Sequence, residues 1–289
     1  MIPARVKNAT GRHALVDGIP FAMPVNSSDT PALIAAFTID ADAAAALLPG
    51  NELHPVRLPK GGRGLLILTI IDYKVTDIGR YIEYSIGIAC LHGTRSLALA
   101  LLRNRFGQYV FDLPVSSEVS VKGGKGIWGM PKHQKYLEFE IGRKEVSSRY
   151  FLDGELAVEI AVKKPRFTRI PLAAGLSNYC AFRGMLMKST VYFRCRAGLN
   201  VPFTRSGRLT ISDHPRVAPL KTLDIADKPL LSMFLSDSDG TLDDHTESWF
   251  LSFEQPPETP PEGFESVAEL GLSERWLQSP GATSVEELS

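Results

Sequence analysis

The residues best suited to chemistry stand in one short stretch, GGKGIWGMPKH, residues 123–133. Lys132 follows Trp128, Met130 and Pro131, and His133 comes next. A lysine amine is a nucleophile only when neutral, and at an ordinary pKa of about 10.4 almost none is neutral at pH 7. Apolar burial disfavours the ammonium and lowers that pKa, and a nearby positive charge does the same. Trp128 and Met130 are suitable desolvating material. Pro131 lacks an N–H and restricts the backbone of Met130, so the approach to the lysine is stiff. A neutral lysine held this way attacks a ketone or aldehyde to form an imine. The protonated imine is an electron sink that eases C–C cleavage or proton loss beside it. The same residues also fit a surface lysine whose stem covers neighbouring apolar atoms.

A carboxylate that could work with the lysine stands upstream. IGRYIEYSIGIACL (78–91) alternates with the period of a strand. Ile82, Tyr84, Ile86 and Ile88 share one face; Tyr81, Glu83, Ser85, Gly87 and Ala89 share the other. The second face is small-sided and suits a cavity wall or a close backbone approach. Alone, Glu83 also fits a strand carboxylate facing solvent.

Other elements must position these two. PALIAAFTI (31–39) predicts a strand. DADAAAALLPG (40–50) predicts a short helix that starts at aspartate and stops at Pro49-Gly50. LLILTIIDYKV (65–75) is short, apolar and β-branched, as in a buried strand. SLALALLRNRFGQYVFDLPV fits strand or helix. VSSEVSVKGG reads as a poor helix stopped by Gly123-Gly124. YLEFEIGR, VSSRYFLDGELAVEIAVKK, RGMLMKSTVYFRCR and GRLTIS read as strands. Asp153-Gly154 marks a hairpin turn, with Leu156, Val158, Ile160 and Val162 on one face. Residues 1–30 read as irregular. The expected organisation is one β-rich domain over residues 1–252, with a few short helices. A proline-rich C-terminal arm follows over 253–289, with a short helix at SVAELGLSERWL. Regular βαβ alternation is missing, which argues against a doubly wound sheet.

Composition narrows the function classes. The chain has 289 residues, with 32 Lys plus Arg balanced by 32 Asp plus Glu. Zero formal charge argues against a nucleic-acid footprint or a polybasic membrane surface, and permits self-association. Cys90, Cys180 and Cys195 form neither a disulfide framework nor a zinc site. The N-terminus has no apolar signal-peptide core, and a cytoplasmic location is expected. KGGRG and KGGKG lack nucleotide-loop spacing, and no H-E-x-x-H or G-x-S-x-G occurs. The acidic run DSDGTLDDHTES (237–248) lacks calcium-loop spacing and reads as a solvated loop, so no metal site is expected.

GGKGIWGMPKH resembles the signature of the acetoacetate decarboxylase family: a glycine-rich turn, a charged residue, then Ile-Trp-Gly-Phe-Pro-Lys-Lys. Gly123, Gly124, Ile127, Trp128, Gly129, Pro131 and Lys132 match, with Met130 in place of phenylalanine. RYIEYSIGI resembles the family's Tyr-x-Glu strand, and LIAAFTIDADAAAALLPG its early strand and helix. The resemblance runs from about residue 31 past residue 143, and more loosely to about 250. It implies a cone- or barrel-like α+β fold, mainly antiparallel, and a homo-oligomer. It places the Schiff-base nucleophile on Lys132 and the active-site glutamate, which orients substrate or shuttles a proton, on Glu83. Trp128, Met130 and Tyr81 would contact the substrate. No metal or organic cofactor is required. The implied partner is a small oxo acid, and the implied activity is that of a lyase. Decarboxylation of a β-keto acid is the default; aldol, dehydration or hydration chemistry on a 2-oxo acid, or ligand binding without turnover, are the alternatives.

Two positions depart from the family. The second lysine of its pair is His133, which supplies less positive field and could relay a proton instead. The family's active-site arginine falls on Thr38, which cannot replace a bidentate charge. Either Arg183, Arg194 or Arg196 enters the pocket, or the substrate is not acetoacetate.

Overall fold

A computed structural model describes residues 3, 6, 12–59, 61–167, 169–200 and 207–253. The chain opens with a hairpin, β1 (Arg12–Val16) and β2 (Ile19–Met23), followed by β3 (Val25–Ser28). Residues 12–28 are therefore not irregular. Asp17 and Gly18, both at positive φ, make the hairpin turn, and this Asp-Gly pair is the signal the sequence carried there. β4 (Ala32–Ile39) leads into helix α1 (Ala41–Ala46), whose N-cap Asp40 accepts from the backbone of Asp42 and Ala43. β5 (Leu53–Pro55), β6 (Gly64–Tyr73), β7 (Val75–Thr76) and β8 (Tyr81–His92) follow. The ambiguous stretch after residue 95 is both of its readings in turn: helix α2 (Leu97–Leu102), then β9 (Phe106–Val115).

Helix α3 (Glu118–Trp128) does not stop at Gly123-Gly124 but runs through them to Gly129, whose φ is 62°. β10 (Lys132–Gln134) pairs in parallel with β9. β11 (Leu137–Ile141), β12 (Glu145–Leu152) and β13 (Glu155–Lys163) form a meander turned by Asp153-Gly154. β14 (Ile170–Phe182), which the sequence reading did not assign, and β15 (Met185–Asn200) form a long hairpin. β16 (Gly207–Ile211), a 3-10 segment (Ala218–Leu223), β17 (Leu231–Leu242) and β18 (Glu247–Phe250) complete the order. The acidic run is thus only partly loop, because Asp237 and Asp239 lie within β17 and Asp243 is buried. The proline-rich arm and its expected helix lie outside the described residues.

Seven strands close into a barrel in the order β15-β14-β9-β8-β6-β4-β17, with β17 pairing back onto β15. Their alternation sorts side chains between two environments. Leu33, Phe37, Leu68, Ile70, Tyr84 and Ile88 face outward and pack against a second sheet, β11-β12-β13-β16. That sheet contributes Val146, Tyr150, Val158, Ile160 and Val162. Leu156, expected on the same face, is partly exposed; the register shifts at Tyr150/Phe151, just across the hairpin. Tyr81, Glu83 and Ser85 face into the barrel, as the alternation of β8 predicts. No helix among the described residues is long and apolar enough to cross a membrane.

Candidate active site

Lys132 is positioned by the helix before it. At the end of α3 the N–H of Gly129 bonds to the Lys125 carbonyl and that of Met130 to the Gly124 carbonyl, a closure that requires a left-handed residue at 129. The Trp128 indole donates to the Asp243 carbonyl at 2.8 Å, tying this corner to the end of β17. Trp128 and Met130 pack with Phe21, Met23, Val110 and Leu113. The glycines of α3 are sites of close approach. A Cβ on Gly124 would lie 2.4 Å from Lys132 Cδ, and one on Gly123 would lie 2.6 Å from the Phe21 ring. The lysine stem therefore lies in a groove that only glycine leaves open.

The lysine is 4% exposed. Its Nζ lies 2.8 Å from Glu83 Oε2 and donates to Ser120 Oγ at 2.9 Å. The same nitrogen sits 5.3 Å from the centroid of the Tyr81 ring. Tyr81 stacks on Tyr73, with centroids 4.6 Å apart and planes 19° from parallel.

Burial pulls the Lys132 pKa down, but Glu83, with Tyr81, outweighs it, and the net shift is upward. The apolar wall expected from the sequence is present; the expected neutral amine is not, because a carboxylate shares the burial. Desolvation, opposed by Lys132, pushes the Tyr81 phenol up to about 12.

The group faces a cavity of about 140 Å³ inside the barrel. Lys132, Glu83, Tyr81, Trp128 and Met130 all line it, as do Ser120, Tyr73 and Gly124, which the sequence reading missed. Ser120 and Gly124 are four residues apart, on one face of α3. They would have been legible had the helix been carried through its glycines.

Two expected residues are elsewhere. Thr38 lies outside the cavity lining, and its carbonyl accepts from Arg63 at 3.2 Å. The cavity-facing residues of β4 are Ala32 and Ile34. His133 points to the opposite side of β10 from Lys132, because adjacent strand residues face opposite ways. Its Nε2 lies 2.8 Å from Asp112 Oδ1. None of the three arginines named as substitutes enters the described lining either. Arg194 and Arg196 are exposed on β15, and Arg183 lies in a turn with its guanidinium over Phe182. Among the described residues lining the cavity, Lys132 and Glu83 are the charged ones.

The family model for acetoacetate decarboxylase matches residues 7–151, half of the chain, including the lysine, the glutamate and the helix between them. The chain belongs to the acetoacetate decarboxylase family. Solved structures agree on the fold. An acetoacetate decarboxylase structure aligns with a TM-score of 0.62 at 13% identity, covering 86% of this chain and 98% of that one. The Legionella pneumophila acetoacetate decarboxylase aligns at 0.55 and 14%, covering 76% and 85%. The enduracididine biosynthesis enzyme MppR, complexed with pyruvate, aligns at 0.57 and 18%, covering 78% and 90%. No curated protein sequence matches this family member.

Proposed function

We propose that this protein is a Schiff-base lyase that decarboxylates a β-keto acid through Lys132. The observation that carries the proposal is the 2.8 Å pair between Lys132 Nζ and Glu83 Oε2 at the edge of a barrel cavity. Glu83 takes a proton from the ammonium, and the neutral amine adds to the substrate carbonyl. The same carboxyl returns the proton to the carbinolamine hydroxyl, which leaves as water. The protonated imine then accepts the electron pair released as the carboxylate departs as carbon dioxide. The resulting enamine is protonated at carbon, and hydrolysis frees ketone and lysine. The raised resting pKa opposes the first step, since the ammonium must lose its proton before it can add; the 2.8 Å contact gives that proton a direct acceptor in Glu83. Ser120 and Tyr81 hold the amine in place. Trp128 and Met130 keep the chamber dry.

A 2-oxo acid is the second substrate class to test, because a structural relative is complexed with pyruvate. Borohydride reduction in the presence of acetoacetate, pyruvate and related oxo acids, followed by peptide mapping, tests both. A reduced adduct on Lys132 is expected, and carbon dioxide release separates decarboxylation from aldol or dehydration chemistry. Absence of any adduct, with ligands still binding, overturns the imine and leaves a binding protein.

A further inference from the structure

The barrel cavity has one charged corner; the rest of its described lining is uncharged and mostly apolar, with Thr69, Ser85, Gln108, Asn178 and Ser238 among its polar side chains. Ile71 stands directly across from Glu83 in the β6–β8 ladder. Ala32 stands across from Ile71, and Leu235 across from Ala32. This band of the barrel passes from the carboxylate straight into aliphatic side chains. Ile34 and Phe193 join the same packed group. Among the described residues, the polar side chains lining the chamber are uncharged apart from Glu83 and Lys132, which neutralise one another. None of the three arginines that could have held a substrate carboxylate enters. The volume, about 140 Å³, is close to that of a dry protein cavity of about 150 Å³ that accommodates a benzene ring.

We infer that the substrate is a carbonyl compound bearing an apolar group of a few carbons, seated against Ile34, Ile71, Phe193 and Leu235, and carrying no second carboxylate. This rests on the Schiff-base reading and narrows it. A distal carboxylate would enter a chamber whose described lining holds no free cation, and burying an unpaired charge is strongly unfavourable. An apolar chain gains instead with each methylene removed from water. The carboxylate of a β-keto acid stands next to the reacting carbon, beside Lys132, and leaves in the reaction. The chamber therefore needs no second positive group for it.

The test compares acetoacetate, β-oxohexanoate and β-oxoadipate, the last two matched in length and differing in a terminal carboxylate. Borohydride trapping on Lys132 is measured against concentration. β-Oxohexanoate is expected to half-saturate at a concentration about tenfold below acetoacetate. β-Oxoadipate is expected to need about a hundredfold more than β-oxohexanoate. Equal trapping of all three, or a preference for the dicarboxylate, overturns the inference while leaving the imine in place. Phe193→Ala is expected to move the preference to an eight-carbon β-keto acid, and an unmoved preference counts against the chamber. A second measurement separates the two readings. Calorimetry of acetone and hexan-2-one on the Lys132→Met protein reports the apolar chamber without any imine. Tighter binding of the longer ketone there, with no adduct on the wild type, would sink the Schiff base and keep the chamber. A flat response would sink the chamber itself.

Discussion

Lys132 and His133 are neighbours on one three-residue strand, yet they belong to two different polar clusters. Lys132 looks into the barrel, where it meets Glu83, Ser120 and Tyr81 beside a cavity. His133 looks outward, between the barrel wall and the second sheet, where Asp112 is fully buried. That carboxylate takes Nε2 of His133 at 2.8 Å, the Tyr150 hydroxyl at 3.0 Å and Arg216 Nε at 2.9 Å. Burial alone would raise the Asp112 pKa, but His133 and Arg216 reverse this and hold it below the usual range. Both clusters are buried ion pairs on a common strand, and they differ in what lies beside them. The outer carboxylate is enclosed by protein groups that match it. The inner pair borders space. A cluster enclosed by its own partners can only hold the fold together, whereas one that borders a cavity can exchange a partner for a ligand.

That contrast is broken most severely by Lys132→Met. Turnover should fall on the order of 10⁴-fold or more. Stability in urea should also fall, by about 3 kcal/mol, because Glu83 is left largely buried without its partner. A large stability loss with activity retained would reverse the roles assigned to the two clusters. Glu83→Gln comes next. Turnover should drop by about 10²- to 10⁴-fold. With the carboxylate gone, burial of Lys132 is opposed by Tyr81 without Glu83, so its pKa should fall. The pH midpoint of borohydride-trappable amine should then move downward; an unmoved midpoint would mean that Glu83 does not set the lysine's charge. Asp112→Ala should differ from Lys132→Met in turnover, not in stability. It should cost about 3 kcal/mol of stability in denaturant unfolding and leave activity per folded molecule near wild type.

Smaller effects sharpen the picture. Gly124→Ala places a methyl against the lysine stem, so a rate loss on the order of tenfold is expected from the displaced amine. Circular dichroism should show α3 intact, since alanine favours helix more than glycine does. Acid titration should show the least. Asp112 ionises more readily in the folded than in the unfolded chain, so its contribution to stability is complete above the unfolded pKa. It is lost as pH falls through the lower folded value. Wild-type stability should therefore decline more steeply on the acid side than that of Asp112→Asn, and parallel curves would contradict this.

Much of this arrangement was legible from local pattern. The alternation in β8 put Tyr81 and Glu83 together on one small-sided face, and that face lines the cavity. Asp40 announced α1, and Asp153-Gly154 announced the second-sheet hairpin. Helix α3 was cut short because glycine reads locally as punctuation. Gly123, Gly124 and Gly126 lie inside a helix because neighbouring side chains occupy the space of their Cβ atoms. That is a tertiary demand with no signature in a local window. Thr38 failed because spacing was carried along a strand without knowing where the barrel interior begins. His133 sat next to the key lysine in sequence, yet strand geometry set its side chain on the other side of the wall. β14 escaped notice because its exposed first half, IPLAAGL, lacks the alternation of a half-buried strand.

The glycines of α3 also govern how the protein comes together. Relative to alanine, Gly123, Gly124 and Gly126 cost an isolated helix on the order of 3 kcal/mol, and eleven residues are too few to persist alone in water. Phe21 and Val16 from the first hairpin and the stem of Lys132 itself fill the places the missing side chains leave. Order in this helix thus arrives only when a segment about 100 residues earlier in the chain has docked. A partly folded chain presents Lys132 as an ordinary solvated amine. What folding adds is not the amine but its setting: Glu83 at 2.8 Å and a chamber beside it.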